Sequence, residues 1–140
     1  ELAVAGADAP RAELAARGWR VRDPAALSRD PWTYEDYLRG SKAEFSVAKH
    51  GYVVSRSGWF SERSAAYLAL GRPAVVEDTG FTDWLEAGEG VLAFRNPDEA
   101  VAAIAEVNRR YDQHSRAARA VAERYFDARQ VLPNLLARVR

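Results

Sequence analysis

The sequence predicts an α/β domain: a doubly wound parallel sheet of about five strands, with helices on both faces and a helical C-terminus. Three observations predict it. Short apolar runs alternate with helix-period segments along the chain, the pattern of β-α-β units joined by right-handed crossovers. The run Pro73 to Glu77 is near-continuous in apolar residues, as expected of a strand covered on both faces. After the last run, Val91 to Phe94, only helical patterns follow.

Each element has its own signal. Leu2 to Ala5 is a short apolar strand that ends at Gly6, and Asp8 with Pro10 supplies a cap and an early-turn proline for a helix over Arg11 to Arg17, closed by Gly18. Trp19 to Arg22 alternates and stops at Asp23-Pro24, a second strand; Ala25 to Leu27 is one helical turn. Asp30-Pro31 starts a helix over Trp32 to Gly40 in which Trp32, Tyr37 and Leu38 share a face. Glu44 to Val47 is the third strand, Lys49, His50 and Gly51 form a loop, and Tyr52 to Val54 lead into a Ser-rich stretch. There Ser61 is an N-cap whose hydroxyl can accept from first-turn N–H groups, and Glu62 complements the helix dipole. Gly71 and Pro73 stop that helix before the fourth strand. Thr82 or Asp83 caps a short helix through Trp84 and Leu85, and Gly88-Glu89-Gly90 turns the chain into the fifth strand. Asn96-Pro97-Asp98-Glu99 is a strong helix start, continued at a 3.6 period by Ala100, Ile104, Val107 and Tyr111. Asp112 opens a helix with Ala117, Val121 and Tyr125 inward. Asp127 opens the last, with a stripe of Leu132, Leu135, Leu136 and Val139 interrupted by Pro133.

Composition removes several function classes. The 140 residues are 48% hydrophobic and 29% charged, which is ordinary for a folded domain and excludes disorder. Twenty cationic and twenty anionic side chains cancel, with no block of one sign, so there is no broad footprint for nucleic acid or an anionic membrane. The absence of cysteine excludes disulfides, zinc-thiolate sites and cysteine nucleophiles. No apolar run is long enough to span a membrane, and the expected location is cytoplasmic. The chain opens on Glu1-Leu2-Ala3-Val4, a strand already in progress, and has no methionine, so it reads as a piece of a longer protein.

The candidate site follows from the fold class. In an open parallel sheet, ligands sit outside the C-terminal ends of the strands. The loops Gly6 to Asp8, Ala48 to Gly51, Arg56 to Ser64 and Asp78 to Phe81 fall on that rim. Arg56-Ser57-Gly58-Trp59-Phe60-Ser61-Glu62-Arg63-Ser64 brings a glycine, serines and two arginines to one helix N-terminus, a composition suited to a phosphate or pyrophosphate. The same stretch also fits an ordinary capped helix whose arginines face water.

The order of these pieces resembles a known group. Ala69-Leu70-Gly71-Arg72-Pro73-Ala74-Val75-Val76, then Thr79-Gly80-Phe81, then the Gly88 to Phe94 turn and strand, with the Ser-rich loop ahead and helices behind, resembles the C-terminal half of a GT-B glycosyltransferase. Glu44 to Lys49 with Arg56 to Ser61 is similar to one bacterial subgroup, the group 1 or family 4-like enzymes. The resemblance covers nearly the whole chain and implies a Rossmann-like donor-binding domain, residues 1–140, taking a nucleotide diphosphate-sugar. Its implied partner is an N-terminal acceptor domain upstream, with no cofactor and no metal. It matches Ser57 and Gly58 to the family's loop, Ser61, Glu62, Arg63 and Ser64 to the helix start facing the diphosphate, and Thr79, Gly80 and Phe81 to the loop beside sugar and phosphates. The positions of the family's two glutamates fall on Gly58 and Ala66, so neither carboxylate is present.

Among individual side chains, Arg56 and Arg63 read either as diphosphate contacts or as surface ion pairs, and Lys49 as a rim cation or a solvated one. Glu77 and Asp78 read as sugar-hydroxyl acceptors or as caps. Trp59 and Phe60 can stack on a base or close the core, whereas Trp19, Trp32 and Trp84 read as packing residues. His50 and His114 have no partner motif for catalysis. Two other functions fit the same pattern: a nucleotide-sugar epimerase half-domain and a non-catalytic α/β interaction module.

Overall fold

The computed structural model describes residues 2–3 and 11–139. It contains two compact units, Glu1–Gly40 and Ser41–Arg140, each with its own parallel sheet.

In the first unit, β1 (Leu2–Ala3) pairs in parallel with β2 (Val21–Arg22), Leu2 opposite Val21. The connection carries α1 (Arg11–Ala16), closed by Gly18 at φ 86°. The strand residues Val4 and Ala5, the Gly6 to Asp8 loop and the Pro10 cap lie outside the described residues. Helix α2 (Pro24–Leu27) starts as the Asp23-Pro24 pair dictates, the Asp23 carboxylate accepting from the Ala25 N–H. Helix α3 (Pro31–Gly40) is started by Asp30, which accepts from the backbone N–H of Thr33 and from its hydroxyl, both at 2.8 Å. Those bonds hold the Asp30 carboxyl below its usual range. One expectation for α3 is corrected: Leu38 is buried, but Trp32 is 75% exposed. At about 100° per residue, six residues rotate Trp32 roughly 120° away from Leu38, off the packed face.

The second unit is built on β3 (Glu44–Ser46), β4 (Ala74–Glu77) and β5 (Val91–Phe94), in that order and all parallel. Phe45, Val75 and Leu92 form one row across it. Strand β4 is central and loses water on both faces, which is why its sequence does not alternate. On one face Ala74, Val76 and Val91 pack with Leu68, Phe81, Leu85, Ala118 and Ala122. On the other, Val75, Leu92 and Phe94 pack with Ala100, Ala103 and Val107.

Helices α5 (Glu62–Ala69) and α7 (Tyr111–Tyr125) cover the first face, and α6 (Pro97–Arg109) covers the second. Asn96 caps α6 by accepting from the Glu99 N–H, and Gly71 at φ 67° ends the α5 turn. The buried stripe of α6 is Ala100, Ala103 and Val107; Ile104, expected inward, is exposed. On α7 the deepest positions are His114, Ala118 and Ala122, one residue on from the expected Ala117, Val121 and Tyr125, of which Val121 and Tyr125 flank the core. The reason is Gly90: a Cβ there would stand 2.4 Å from the Ala118 nitrogen, so the α7 backbone rests directly on the turn. The last helix, α8 (Ala128–Ala137), has Pro133 inside it and leaves Leu132, Leu135, Leu136 and Val139 exposed.

Two further local expectations are corrected. Residues read as a loop and a lead-in form a short helix, α4 (His50–Val54), because both the N–H and the hydroxyl of Ser55 bond the Gly51 carbonyl and close the turn. After β4, neither Thr82 nor Asp83 is a cap. Gly80, at φ 89°, precedes a 3-10 turn over Phe81–Asp83, and the Thr82 hydroxyl turns back to Asp78.

Candidate functional site

Because β3, β4 and β5 are parallel, their C-terminal ends lie along one rim, with the segments after Ser46, after Glu77 and after Phe94 side by side. The loop between α4 and α5 is laced to the loop after β4. Gly58 N–H donates to the Thr79 carbonyl at 2.9 Å, the Thr79 hydroxyl donates to the Trp59 carbonyl at 2.5 Å, and the Trp84 indole N–H donates to the Gly58 carbonyl at 2.9 Å. Gly80 passes so close to Arg56 that a Cβ would sit 3.1 Å from the Arg56 carbonyl oxygen, and Arg56 itself holds a left-handed φ of 46°. A non-glycine residue there is uncommon and the conformation is strained.

The rim therefore unites Arg56, Ser57, Gly58, Thr79 and Gly80 through their backbones. Ser57 donates to the Tyr52 carbonyl and accepts from the Trp59 N–H, and the Trp59 ring stacks on Tyr52 at 5.1 Å. Phe60 turns inward, stacked on Phe126 and edge-on to Phe81. Trp84 meets Phe60 and Phe126 edge-on. Lys49 is exposed just before α4, and Glu62 is exposed in the first turn of α5.

Four of the expected site residues face elsewhere. The Ser61 hydroxyl is buried and occupied by the cap, accepting from Arg63 N–H at 3.2 Å. Ser64 and Phe81 are wholly buried; Phe81 belongs to the core, and the Ser64 hydroxyl has no hydrogen-bond partner among the described residues. Arg63 leans over β3, its Nε donating to Glu44 at 2.6 Å and a terminal nitrogen to Ser46 at 3.0 Å.

Three arginines on the rim are paired with carboxylates. Arg56 reaches Asp83 at 3.0 Å with both partners well exposed, while Arg63 pairs with buried Glu44 and Arg95 with buried Asp78. An exposed pair is worth about 0–1 kcal/mol, whereas withdrawing the partner of a buried charge costs about 3–5 kcal/mol. Of these three arginines, Arg56 is the one an incoming anion can most readily redirect.

Asp78 and Arg95 are the residues that inspection of the sequence undervalued. The Asp78 carboxylate accepts from Gly80 N–H at 2.9 Å, from the Thr82 hydroxyl at 3.2 Å, and from Arg95 Nε and Nη2 at 3.1 and 2.9 Å. Burial pushes its pKa up, but the bonds from Gly80, Arg95 and Thr82 outweigh that and hold it below the usual carboxylate range. With four donors around it, Asp78 is committed to the protein. Glu77 likewise accepts from the Ala48 N–H at 2.9 Å and tethers the loop after β3. The signal for Arg95 was its place: an arginine immediately after a strand on the rim, ahead of the Asn96 cap. A shallow groove of about 820 Å³ starts at Thr82 and Arg95 and runs along β5 past Leu92 and Ala103.

Parallel strands flanked by helices, with their tied loops at the strand ends, define a Rossmann-like α/β protein. The chain belongs to the glycosyl transferase-like family, whose model matches residues 2–137. Comparison with curated proteins and with solved structures returned no match. Among the described residues no helix is long and apolar enough to cross a membrane, and no three His, Asp or Glu side chains group as metal ligands.

Proposed function

We propose that this chain is the nucleotide-sugar donor-binding domain of a glycosyltransferase, residues 1–140 forming the donor half and an upstream domain supplying acceptor and base. The observation that carries the reading is the lacing of the 56–60 loop to the 79–84 loop at the strand ends, just ahead of the capped start of α5. A rim held in this way presents the α5 N-terminus to the donor diphosphate. As the sugar–phosphate bond breaks, charge grows on the leaving diphosphate, and fixed cations lower the barrier. Arg56, released from Asp83, and Lys49 are the cations for that role; Arg63 acts from behind, holding the first turn of α5 against β3. In this reading no metal takes part, and Ser57, Gly58, Glu62, Thr79 and Gly80 shape the pocket.

The test is a thermal-shift panel of UDP, GDP, ADP and dTDP with their common sugars, on the wild type and Arg56→Ala. A ligand that binds the folded state raises stability by mass action. One nucleotide family should raise Tm in the wild type and do so less in the variant. Absence of any shift overturns the reading. It would favour the second, a non-catalytic interaction module, for which the relevant observation is that Arg56 and Arg63 already face carboxylates.

A further inference from the structure

We propose that Asp78 and Arg95 are the positioning pair of the donor site, setting the shape of a rim that neither carboxylate nor loop could hold alone; this rests on the donor-binding reading above. Asp78 does not itself meet the donor. Its side chain is 1% exposed and each oxygen already receives donors, so it has no lone pair pointing at solvent for a sugar hydroxyl or a proton in transit. Its bonds instead bind three segments. One oxygen holds the Gly80 N–H and the Thr82 hydroxyl, which fixes the left-handed turn at Gly80 and the 3-10 turn behind it. The other oxygen is held by Arg95 from the end of β5.

The turn passes its position on to the second loop. Gly80 abuts the Arg56 carbonyl, and its neighbour Thr79 takes the Gly58 N–H on its carbonyl and gives its hydroxyl to Trp59. The strained Arg56 and the loop containing Gly58 are therefore seated on a turn that is itself seated on Asp78. Arg95 is the counter-charge that makes a buried carboxylate tolerable there. Its Nε and Nη2 meet one oxygen, and the side chain as a whole is 65% exposed. Removing its charge releases the carboxylate, then the 79–82 turn, then the 56–60 loop.

Amide hydrogen exchange on the whole chain, with residue-level readout, tests the pair in wild type, Asp78→Asn, Arg95→Gln and Arg95→Lys, with Arg124→Gln as a surface control. Arg124 pairs with exposed Glu86 and lies over the Tyr125 ring, so its loss tests an arginine that takes no part in the Asp78 cluster. The Gly58 and Gly80 amides should exchange at least tenfold faster in Arg95→Gln, with Arg95→Lys in between, while amides in the middle of α6 and α7 keep wild-type rates. UDP, GDP, ADP and dTDP are then titrated calorimetrically into the same proteins. Whichever binds the wild type should bind Arg95→Gln about tenfold more weakly and Arg124→Gln unchanged, with partial rescue by lysine. Unchanged Gly58 exchange in Arg95→Gln overturns the proposal, as does equal acceleration in α6 and α7, which would mark a purely global role. Unchanged nucleotide affinity in a loosened Arg95→Gln also overturns it. If no diphosphate binds the wild type, the donor reading itself falls, an outcome separate from any of these.

Discussion

Helices α7 and α8 look alike as sequences and end up in opposite situations. Both carry apolar residues at helical spacing. In α7 the side chains that meet the sheet are small, Ala118 and Ala122, and the helix comes down onto Gly90 until backbone touches backbone. His114 is buried in the same seat, its Nδ1 accepting from the Gly90 N–H at 3.2 Å. In α8 the stripe is made of large residues, Leu132, Leu135, Leu136 and Val139, and all four are exposed. A stripe shows that a helix has a face; the shape of the opposite surface decides whether that face is used.

That contrast can be broken by experiment, most severely by truncating the same residue type in the two settings. Leu68 is fully buried between α5 and the sheet, so Leu68→Ala should lower stability by about 3–4 kcal/mol through lost transfer energy and a cavity, read from the urea midpoint at constant m. A cost below about 1 kcal/mol would mean that this face of the sheet is not the cohesive one. Next is Gly90→Ala. Its methyl would meet the Ala118 nitrogen and the Ala117 carbonyl carbon, atoms that cannot rotate aside, and Gly90 sits at φ 76°; a loss of about 2–3 kcal/mol is expected. Retention of the wild-type midpoint would show that α7 does not rest on the turn.

The third experiment lowers the pH. Asp78 has a folded pKa below its unfolded one, so it contributes stability that is present above the ordinary carboxylate range, near pH 4, and is lost as pH falls through the depressed folded value. Asp127, held down to about 2 by Arg129, adds a contribution of the same sign over the same acid window. Melting curves from pH 5 to pH 2.5 should fall more steeply for wild type than for Asp78→Asn; parallel curves would mean that the carboxylate is not the acid-labile element. The smallest effect is expected for Leu135→Ala, within about 0.5 kcal/mol, because its side chain already sees water. A loss near that of Leu68→Ala would show that the α8 stripe is covered in solution.

Much of the framework was readable in advance where local chemistry decides. The Asn96 cap of α6, the Ser61 cap of α5 and the Asp127 start of α8 came from side chains that bond their own backbone within three residues, and the bounds of β5 from an apolar run set between the Gly90 turn and Asn96-Pro97. The short turns were harder. The Thr82 hydroxyl could bond either a following N–H or the Asp78 carboxylate, and only the buried position of that carboxylate favours the second. In the candidate site, the rim was legible from the parallel-strand rule, and the meeting of the 56–60 and 79–81 loops agrees with it. The partners of Arg56 and Arg63 were not, since Asp83 and Glu44 lie 27 and 19 residues away in the chain.

Local order alone carries the alternation of strands and helices, the starts of α5, α6 and α8, and the placing of the 56–60 and 79–81 loops at the strand ends. These depend on periodicity and on contacts a few residues long, both written in local order. It took the folded chain to show that the described strands form sheets of two and three, that Gly90 sets the face of α7, and that Asp78 with Arg95 underlies the rim. Those outcomes depend on distances between segments remote in the chain, where a single methyl or one buried charge without its partner outweighs any local preference.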